Sequence, residues 1–98
     1  MLILPEPIHF LWGKGNELKN FVKHRVTIEE IEEIFFDPDK KMLDDLLHSQ
    51  TEPRHLLLGL TKQHRLLFVV FTVRNRAIRI ISARDLNKKE RSLYEENS

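Results

Sequence analysis

Arg-Ala-Ile-Arg-Ile-Ile-Ser-Ala-Arg, residues 76–84, is the stretch around which the rest of the chain is organised. Its isoleucines give it the β-branched bulk of a strand, and Asn75 just before it is a typical turn residue. Its two apolar faces, punctuated by arginines, predict an interior strand of a sheet. Strict alternation would place Ile78, Ile80, Ser82 and Arg84 on one face and Ala77, Arg79, Ile81 and Ala83 on the other.

The arginines of this strand must reach solvent or a negatively charged partner, because an unpaired guanidinium is costly to bury. They could be solvated or form ion pairs within the fold. They could instead bind an anionic ligand, and the planar guanidinium fork suits phosphate. The stretch alone leaves both explanations open.

Further strands are predicted upstream of this stretch. Residues 66–74, Leu-Leu-Phe-Val-Val-Phe-Thr-Val-Arg, form a near-continuous apolar run that predicts a strand buried on both faces. Residues 54–61 form another strand, joined to it by a hairpin-sized connection at 62–65. Residues 41–47 are interpreted as a shorter strand. Three successive short connections favour antiparallel hairpins over crossovers.

The remaining segments add helices at both ends of the chain. Thr27-Ile-Glu-Glu30 is a capping box that begins a helix, with Val26 and Ile31 placed as a hydrophobic staple, and Asp37-Pro38 ends it. A short strand at 8–12 and a helix at 16–24 precede it, and Asn87-Lys-Lys-Glu90 begins a C-terminal helix. The predicted fold is a single α+β domain over residues 1–98, with N-terminal helices, a mainly antiparallel sheet and a short C-terminal helix.

Composition narrows the function classes. The 98 residues contain no cysteine, which excludes disulfides, thiolate metal sites and cysteine nucleophiles. No apolar run approaches the roughly 20 residues that span a bilayer, and the first residues lack the pattern of a signal peptide. The five histidines show no metal-binding spacing, and no glycine-rich phosphate loop is present. We therefore expect a cytoplasmic protein with no metal and no cofactor.

Charge is unevenly distributed although the net charge is only +1. Residues 27–52 carry nine acidic and two basic side chains, whereas residues 54–91 carry ten basic and two acidic ones. This division indicates a surface that faces an anion, and nucleic acid is the commonest large one. The alternative is that the two parts neutralise each other in the fold.

The polar side chains suit metal-free cleavage of RNA. Arginine and lysine can stabilise charge on a pentacoordinate phosphate, while histidine or a carboxylate can move protons. The candidates are Lys23, His24, His48, Glu52, Arg54, Arg74, Arg79 and Arg84. Simpler explanations stay open for each, since His48 could bond backbone in a loop and Glu52 could pair with Arg54.

A set of motifs spread over nearly the whole chain resembles the BrnT family of bacterial toxins. The shared elements are, in order, Trp12, Lys23-His24, Val26, Glu29-Glu30, Phe36-Asp37-Pro38, His48-Ser49, Glu52, Arg54, Gly59, Leu66–Val70, Thr72–Arg74, Ile78–Arg84, Glu90-Arg91 and Tyr94. The most specific are His-Ser-x-x-Glu-x-Arg at 48–54 and Arg-Ile-Ile-Ser-Ala-Arg at 79–84. The chain departs from the family at Arg25, where glycine is usual, at the bulky Ile31, and in its N-terminal lead.

The resemblance implies a toxin of a type II toxin–antitoxin system with a RelE-like ribonuclease fold. Such a toxin cuts RNA and stops translation. It also implies a BrnA-like antitoxin that neutralises the toxin and contacts operator DNA, in an assembly of two toxins with two antitoxins. On this basis Arg54, Arg74, Arg79 and Arg84 are predicted to bind phosphate and stabilise transition-state charge. Lys23, His48 and Glu52 are predicted to transfer protons or orient groups.

Two other function classes remain. A non-catalytic module could hold RNA or antitoxin on the same surface, and it would show salt-dependent RNA binding without cleavage products. A purely structural α+β domain, with its arginines in internal ion pairs, would bind no RNA at low salt.

Overall fold

The computed structural model describes residues 3–13, 25–45 and 52–96. Within these ranges the elements are, in chain order, β1 (Phe10–Leu11), α1 (Ile28–Ile34), β2 (Lys41–Asp45), β3 (Arg54–Leu60), β4 (Leu66–Arg74), β5 (Ala77–Asp85) and α2 (Lys88–Glu95). The strands form one sheet in the order β1-β5-β4-β3-β2. The predicted helix at 16–24 lies outside the described residues.

The sheet is mixed but mostly antiparallel. Strands β2 to β5 pair antiparallel with their neighbours in the chain, and β1 pairs parallel with β5. Strand β5 therefore lies between β4 and β1, which confirms the prediction of an interior strand. The α+β class and the mainly antiparallel sheet are confirmed as well. No helix within the described ranges is both long and apolar enough to cross a membrane.

Helix α1 begins at the predicted capping box. The Thr27 hydroxyl accepts a hydrogen bond from the Glu30 backbone N–H at 3.2 Å, and the Glu30 carboxylate accepts one from the Thr27 N–H at 2.9 Å. These bonds satisfy backbone donors that a helix start otherwise leaves unpaired. Val26 and Ile31, the two residues of the predicted staple, are both buried. The local sequence thus fixes where α1 starts and which side it buries.

Helix α1 packs on one face of the sheet and closes the hydrophobic core. Phe35, just after the helix, lies in edge-to-face contact with Phe10 and with Phe71, with ring centroids 5.2 Å apart in both pairs. The Trp12 indole N–H donates to Glu32 at 2.9 Å. These contacts hold the helix against β1 and β4.

Gly59 sets how closely α1 approaches the sheet. A Cβ atom at this position would lie 2.7 Å from the Ile34 Cβ and 3.0 Å from the Ile34 carbonyl oxygen.

We expect Gly59→Ala to lower the free energy of unfolding by about 2 kcal/mol, because helix and strand must separate to admit the methyl group. Urea denaturation measures the loss. Gly13→Ala is the matched control, since its Cβ would meet nothing within 4 Å, and an equal effect of the two changes would contradict the explanation.

A β-bulge in β5 overturns the predicted distribution of its side chains. Phe71 lies opposite Ile80 but Val70 lies opposite Ser82, so Ile81 is an extra residue in the ladder. One extra residue reverses the alternation beyond it. Ala83 consequently joins Ile78 and Ile80 in the core, whereas Ser82 and Arg84 turn to the face that carries Arg79. The prediction that Arg79 and Arg84 lie on opposite faces was wrong.

The prediction that β4 is buried on both faces was also wrong. Leu67, Val69 and Phe71 are fully buried beneath α1. On the other face Phe68 and Val70 are only half-buried. The reason is that α1 packs over β3 and β4 on one side of the sheet, whereas the second side is left partly open at Phe68 and Val70. An apolar surface framed by arginines is the result.

Helix α2 is anchored at a buried carboxylate far away in the sequence. The Tyr94 hydroxyl donates to Asp37 at 2.6 Å, and the backbone N–H of Leu60 donates to the same carboxylate oxygen at 2.8 Å. The other oxygen accepts from the Asp39 N–H at 2.9 Å. Although burial acts to raise the pKa of Asp37, these hydrogen bonds hold it below its usual value. Asp37 thus joins α2, β3 and the turn after α1.

Candidate functional site

The sheet face opposite α1, hereafter the arginine face, collects the predicted phosphate-binding residues. They are Arg54 of β3, Arg74 of β4, and Arg79 and Arg84 of β5. The register places Arg79 opposite Thr72 and Arg84 opposite Phe68, both on the non-core side of β4. Arg54 lies on the same side of β3, because its neighbour His55 is opposite the core residue Phe71. Three strands therefore contribute guanidinium groups to one surface.

Glu52 lies among these arginines, two residues before the start of β3. Arg74 donates two hydrogen bonds to the Glu52 carboxylate, from Nε at 2.9 Å and from a terminal nitrogen at 2.7 Å. The Arg74 hydrogen bonds lower the pKa of Glu52, and the charges of Arg74, Arg79 and Arg54 add to that effect. The structure therefore brings together four of the predicted residues, Glu52, Arg54, Arg74 and Arg79, and the bidentate partner of Glu52 is Arg74.

Arg79 is the member of this group without an ion-pair partner among the described residues. It is half-buried, and its side chain makes no hydrogen bond or ion pair to another residue within the described ranges. Thr72, opposite it, is buried and donates its hydroxyl proton to the Pro53 carbonyl at 2.7 Å. That bond holds the segment bearing Glu52 close to β4, near the position of Arg79 in the next strand.

Arg84 occupies the other end of the arginine face. Its two terminal nitrogens each donate to Glu90 of α2 at 2.8 Å, and one also donates to the Asp85 carbonyl at 3.1 Å. Its guanidinium stacks over the Phe68 ring at 4.0 Å from the centroid. The pKa of Glu90 is lowered chiefly by this hydrogen bonding. Phe68 and Thr72 are four positions apart along β4, about 13 Å, so Arg84 stands apart from the Glu52 group.

Lys23, His24 and His48 lie outside the described residues, so their predicted roles stay predictions. Among the described charges, the acidic and basic parts of the chain do pair in part, through Glu52 with Arg74 and Glu30 with Arg65. Charge neutralisation within the fold thus accounts for some of the asymmetry, and Arg79 has no ion-pair partner within the described ranges.

Arg65 is a structural residue that the sequence did not single out. It donates to Asp85 at 2.7 Å, to Glu30 at 3.1 Å and to the Arg25 carbonyl at 2.8 Å. Its position in the connection 62–65 gave no signal of this role. Arg25 itself has a positive φ of 55°, the conformation that glycine favours, and it occupies the position where glycine is usual in the resembled family.

A cavity of about 340 Å³ opens on the arginine face next to the Glu52 group. Its walls are apolar side chains with three polar groups at hand; the lining residues are Asp45, Arg54, Leu56, Phe68, Val70, Ile81 and Ser82. Sequence reasoning missed Asp45 and Ser82, because their placement depends on the β2–β3 register and on the bulge at Ile81. Neither feature has a local sequence signal. Within the described ranges no three His, Cys, Asp or Glu side chains are grouped as a metal site would require.

Comparison with known proteins identifies the family. A family described as ribonuclease toxin, BrnT, of type II toxin-antitoxin system matches residues 12–90. This match covers most of the chain, including every strand from β2 to β5 and the start of α2. A search of curated proteins gives no significant match. The chain therefore belongs to the BrnT family of ribonuclease toxins of type II toxin–antitoxin systems.

Proposed function

We propose that this protein is a metal-independent endoribonuclease with a RelE-like fold that cleaves RNA on the arginine face and so inhibits translation. The observation that carries the proposal is the group of Glu52, Arg54, Arg74 and Arg79 on an open sheet surface. Three guanidinium groups around one carboxylate leave a net positive site. Such a site fits a phosphodiester whose negative charge grows during the reaction.

The reaction we propose is attack of the ribose 2′-oxygen on the adjacent phosphorus. A base takes the 2′-hydroxyl proton, the P–O5′ bond breaks, and an acid protonates the departing 5′-oxygen. The products are a 2′,3′-cyclic phosphate and a 5′-hydroxyl. Arg79 and Arg54 would stabilise the charge on the non-bridging oxygens of the pentacoordinate phosphate, with Arg74 beside them.

Glu52 fits an orienting role better than a proton-donating one. Its lowered pKa keeps the carboxylate ionised at neutral pH, and both oxygens already accept hydrogen bonds from Arg74. It would hold the Arg74 guanidinium in place. We therefore assign proton transfer to Lys23 and His48, the two other residues predicted from the sequence for that role.

The first test is to incubate the purified protein with a mixed RNA substrate in EDTA and to map the cut ends. We expect cleavage that EDTA does not reduce, with 2′,3′-cyclic phosphate and 5′-hydroxyl ends. Ends bearing a 5′-phosphate, or complete loss of cutting in EDTA, would contradict the mechanism. Intact RNA in EDTA with cutting restored only by ribosomes would retain the function and make it ribosome-dependent.

A non-catalytic binding module is the second candidate. The bidentate pairs of Arg74 with Glu52 and of Arg84 with Glu90 favour it, since they offset two of the four positive charges. It predicts RNA binding that weakens steeply with salt while the RNA stays intact. Detection of cleavage products that depend on Arg79 would exclude it.

The role of Arg84 is tested by comparing two variants. We expect Arg84→Ala to slow cleavage about tenfold, less than a change at Arg79, because Glu90 already offsets its charge. Glu90→Gln breaks the same ion pair but keeps the arginine, so it should leave cleavage within about twofold. Each change should cost about 1 kcal/mol of stability, since the pair is partly exposed to solvent. Equal cleavage rates in both variants would assign Arg84 to structure alone.

The family implies an antitoxin partner. We propose that it is BrnA-like, that it assembles as two antitoxins with two toxins, and that it alone contacts operator DNA. We further propose that the toxin acts on RNA in the cytoplasm. Light scattering of the co-purified complex would test the stoichiometry, and operator-binding assays with and without antitoxin would test the route to DNA.

A further inference from the structure

We propose that the outer edge of β2, together with the groove beside it, is the docking site for an extended segment of the antitoxin, which adds to the sheet as a further strand. The inference rests on the proposed function only in needing the antitoxin partner that the family implies, and it names the surface and the chemistry of the segment. The groove, hereafter the β2 groove, has a volume of about 300 Å³ and lies between β2 and the last turn of α2. Its lining includes Lys40, Lys41, Met42, Leu43, Leu58 and Leu93.

Strand β2 is an edge strand whose backbone is paired on one side only. It is the last strand in the order β1-β5-β4-β3-β2, and its register is with β3 alone. Within the described ranges, no other segment hydrogen-bonds to the backbone of residues 41–44. The N–H and C=O groups that point away from β3 are therefore a template on which an extended segment can pair. The strand at the other edge, β1, has only two residues and offers much less backbone.

The β2 groove provides apolar surface for a side chain of that segment. Leu43 and Leu93 are large apolar residues that remain 43% and 44% exposed. Lys41 lies opposite Leu58 in the β2–β3 register, so Leu43, two positions along, projects from the same side of the sheet as both. A side chain opposite Leu43 on an added strand therefore lies over the β2 groove. Burial of an apolar side chain there removes Leu43 and Leu93 from water.

The charges of the β2 groove favour an acidic segment. Lys40 and Lys41 form no ion pair within the described ranges, and Glu96 is the one acidic side chain among the lining residues. An added strand with an apolar side chain opposite Leu43 has, two positions away, a residue opposite Lys41, where a carboxylate is complementary. Lysines at a sheet edge also oppose non-specific pairing, so they select a partner by its charge. We expect the antitoxin segment to carry an apolar and an acidic residue at this spacing.

Docking along β2 brings the partner to the border of the arginine face. Asp45, the last residue of β2, lines the cavity beside the Glu52 group. Leu43 and Asp45 are two positions apart, about 7 Å along an extended chain. One end of the added strand therefore lies next to that cavity, and the antitoxin chain that continues from it can cover the proposed RNA site.

The first test is amide hydrogen exchange of the full chain, alone and in the complex co-purified with its antitoxin. We expect the outward-pointing amides of β2 to exchange at least about tenfold more slowly in the complex, because they gain main-chain hydrogen-bond partners. Unchanged exchange throughout residues 41–45 in the intact complex would overturn the proposal. Equal slowing in the chain alone at high protein concentration would also overturn it, since a second copy of the chain would then occupy the edge.

Leu43→Glu provides the variant test, because it places a carboxylate where the segment is expected to bury an apolar side chain. It should weaken antitoxin binding about thirtyfold, the loss typical of a central contact residue. Leu11→Glu is the matched control, because Leu11 is exposed to the same fraction, 43%, but lies in the strand at the opposite edge of the sheet. Urea denaturation checks that both variants fold. Equal losses of binding in two well-folded variants would contradict the docking site.

A second pair of variants tests the charge. Replacing Lys40 and Lys41 together with glutamate should weaken antitoxin binding about tenfold. Replacing Lys88 and Lys89 with glutamate makes the same change in net charge at the exposed start of α2 and should leave binding nearly unchanged. Equal effects, or loss of RNA binding in place of antitoxin binding, would overturn the proposal. None of these measurements needs cleavage, so absence of RNA cutting would count against the proposed endoribonuclease and leave the docking site judged on its own results.

Discussion

Replacing Arg79 with alanine is expected to lower the rate of RNA cleavage by about 100- to 1,000-fold, the usual effect of removing a group that stabilises charge only in the transition state. Its side chain makes no hydrogen bond or ion pair to another described residue. Its loss therefore removes a cation from the proposed RNA site without breaking an ion pair among the described residues. The Arg79 side chain is only half-buried, and the core residues Ile78 and Ile80 on either side of it are unchanged. The fold should therefore be nearly unaffected.

Arg76→Ala is the matched control for this change. Arg76 lies three residues away in the exposed turn between β4 and β5, where its φ is 63°, and it carries the same charge. Cleavage by the two variants is compared under single-turnover conditions, with urea denaturation as the check on folding. Arg76→Ala should cut RNA at close to the unmodified rate. Full activity of a well-folded Arg79→Ala protein would remove Arg79 from the mechanism, and equal losses in both variants would reduce its role to general electrostatic attraction.

How much of the fold and of the candidate site the sequence predicted depends on how far apart in the chain the interacting residues are. Each capping box, at Thr27 and at Asn87, joins two residues that are three positions apart. The sequence alone therefore predicted where both described helices begin. The apolar runs gave β3, β4 and β5 within one residue of their observed ends. The bulge at Ile81 was not readable, because it depends on how β5 pairs with β4 and not on β5 alone.

The contacts that define the site are long-range, and these escaped prediction. Nothing near Glu52 in the sequence shows that Arg74, 22 residues later, is its bidentate partner. The nearer Arg54 was the obvious alternative. The residue types indicated only that guanidinium groups on an interior strand need an anion or solvent. Which arginine pairs with an internal carboxylate is decided by strand register, and register is a property of the folded sheet.

Replacing Asp37 with alanine is expected to lower the free energy of unfolding by about 3 kcal/mol. The change deletes the acceptor of the Tyr94 hydroxyl and leaves the Leu60 N–H without its hydrogen-bond partner in a buried setting. Tyr94→Phe removes one of these bonds and should cost about 1 kcal/mol. Asp39→Ala, at an exposed side chain two residues away, should cost little. Urea denaturation of the three variants measures the order, and a loss in Asp37→Ala no larger than in Tyr94→Phe would contradict it.

The same carboxylate predicts a dependence on pH with a definite sign. The folded-state pKa of Asp37 lies below its ordinary value of 3.8, so the unfolded chain binds the proton more readily. The stabilisation is therefore complete above about pH 4 and is lost as the pH falls through the folded-state pKa. Glu30, Glu52 and Glu90 also have lowered pKa values, so the acid sensitivity of the whole protein has several sources. The difference in stability between the unmodified protein and Asp37→Ala isolates this one, and it should shrink only below pH 4. A difference that instead narrowed on going from pH 5 to pH 8 would mean that the carboxylate is not the charged acceptor that holds α2 in place.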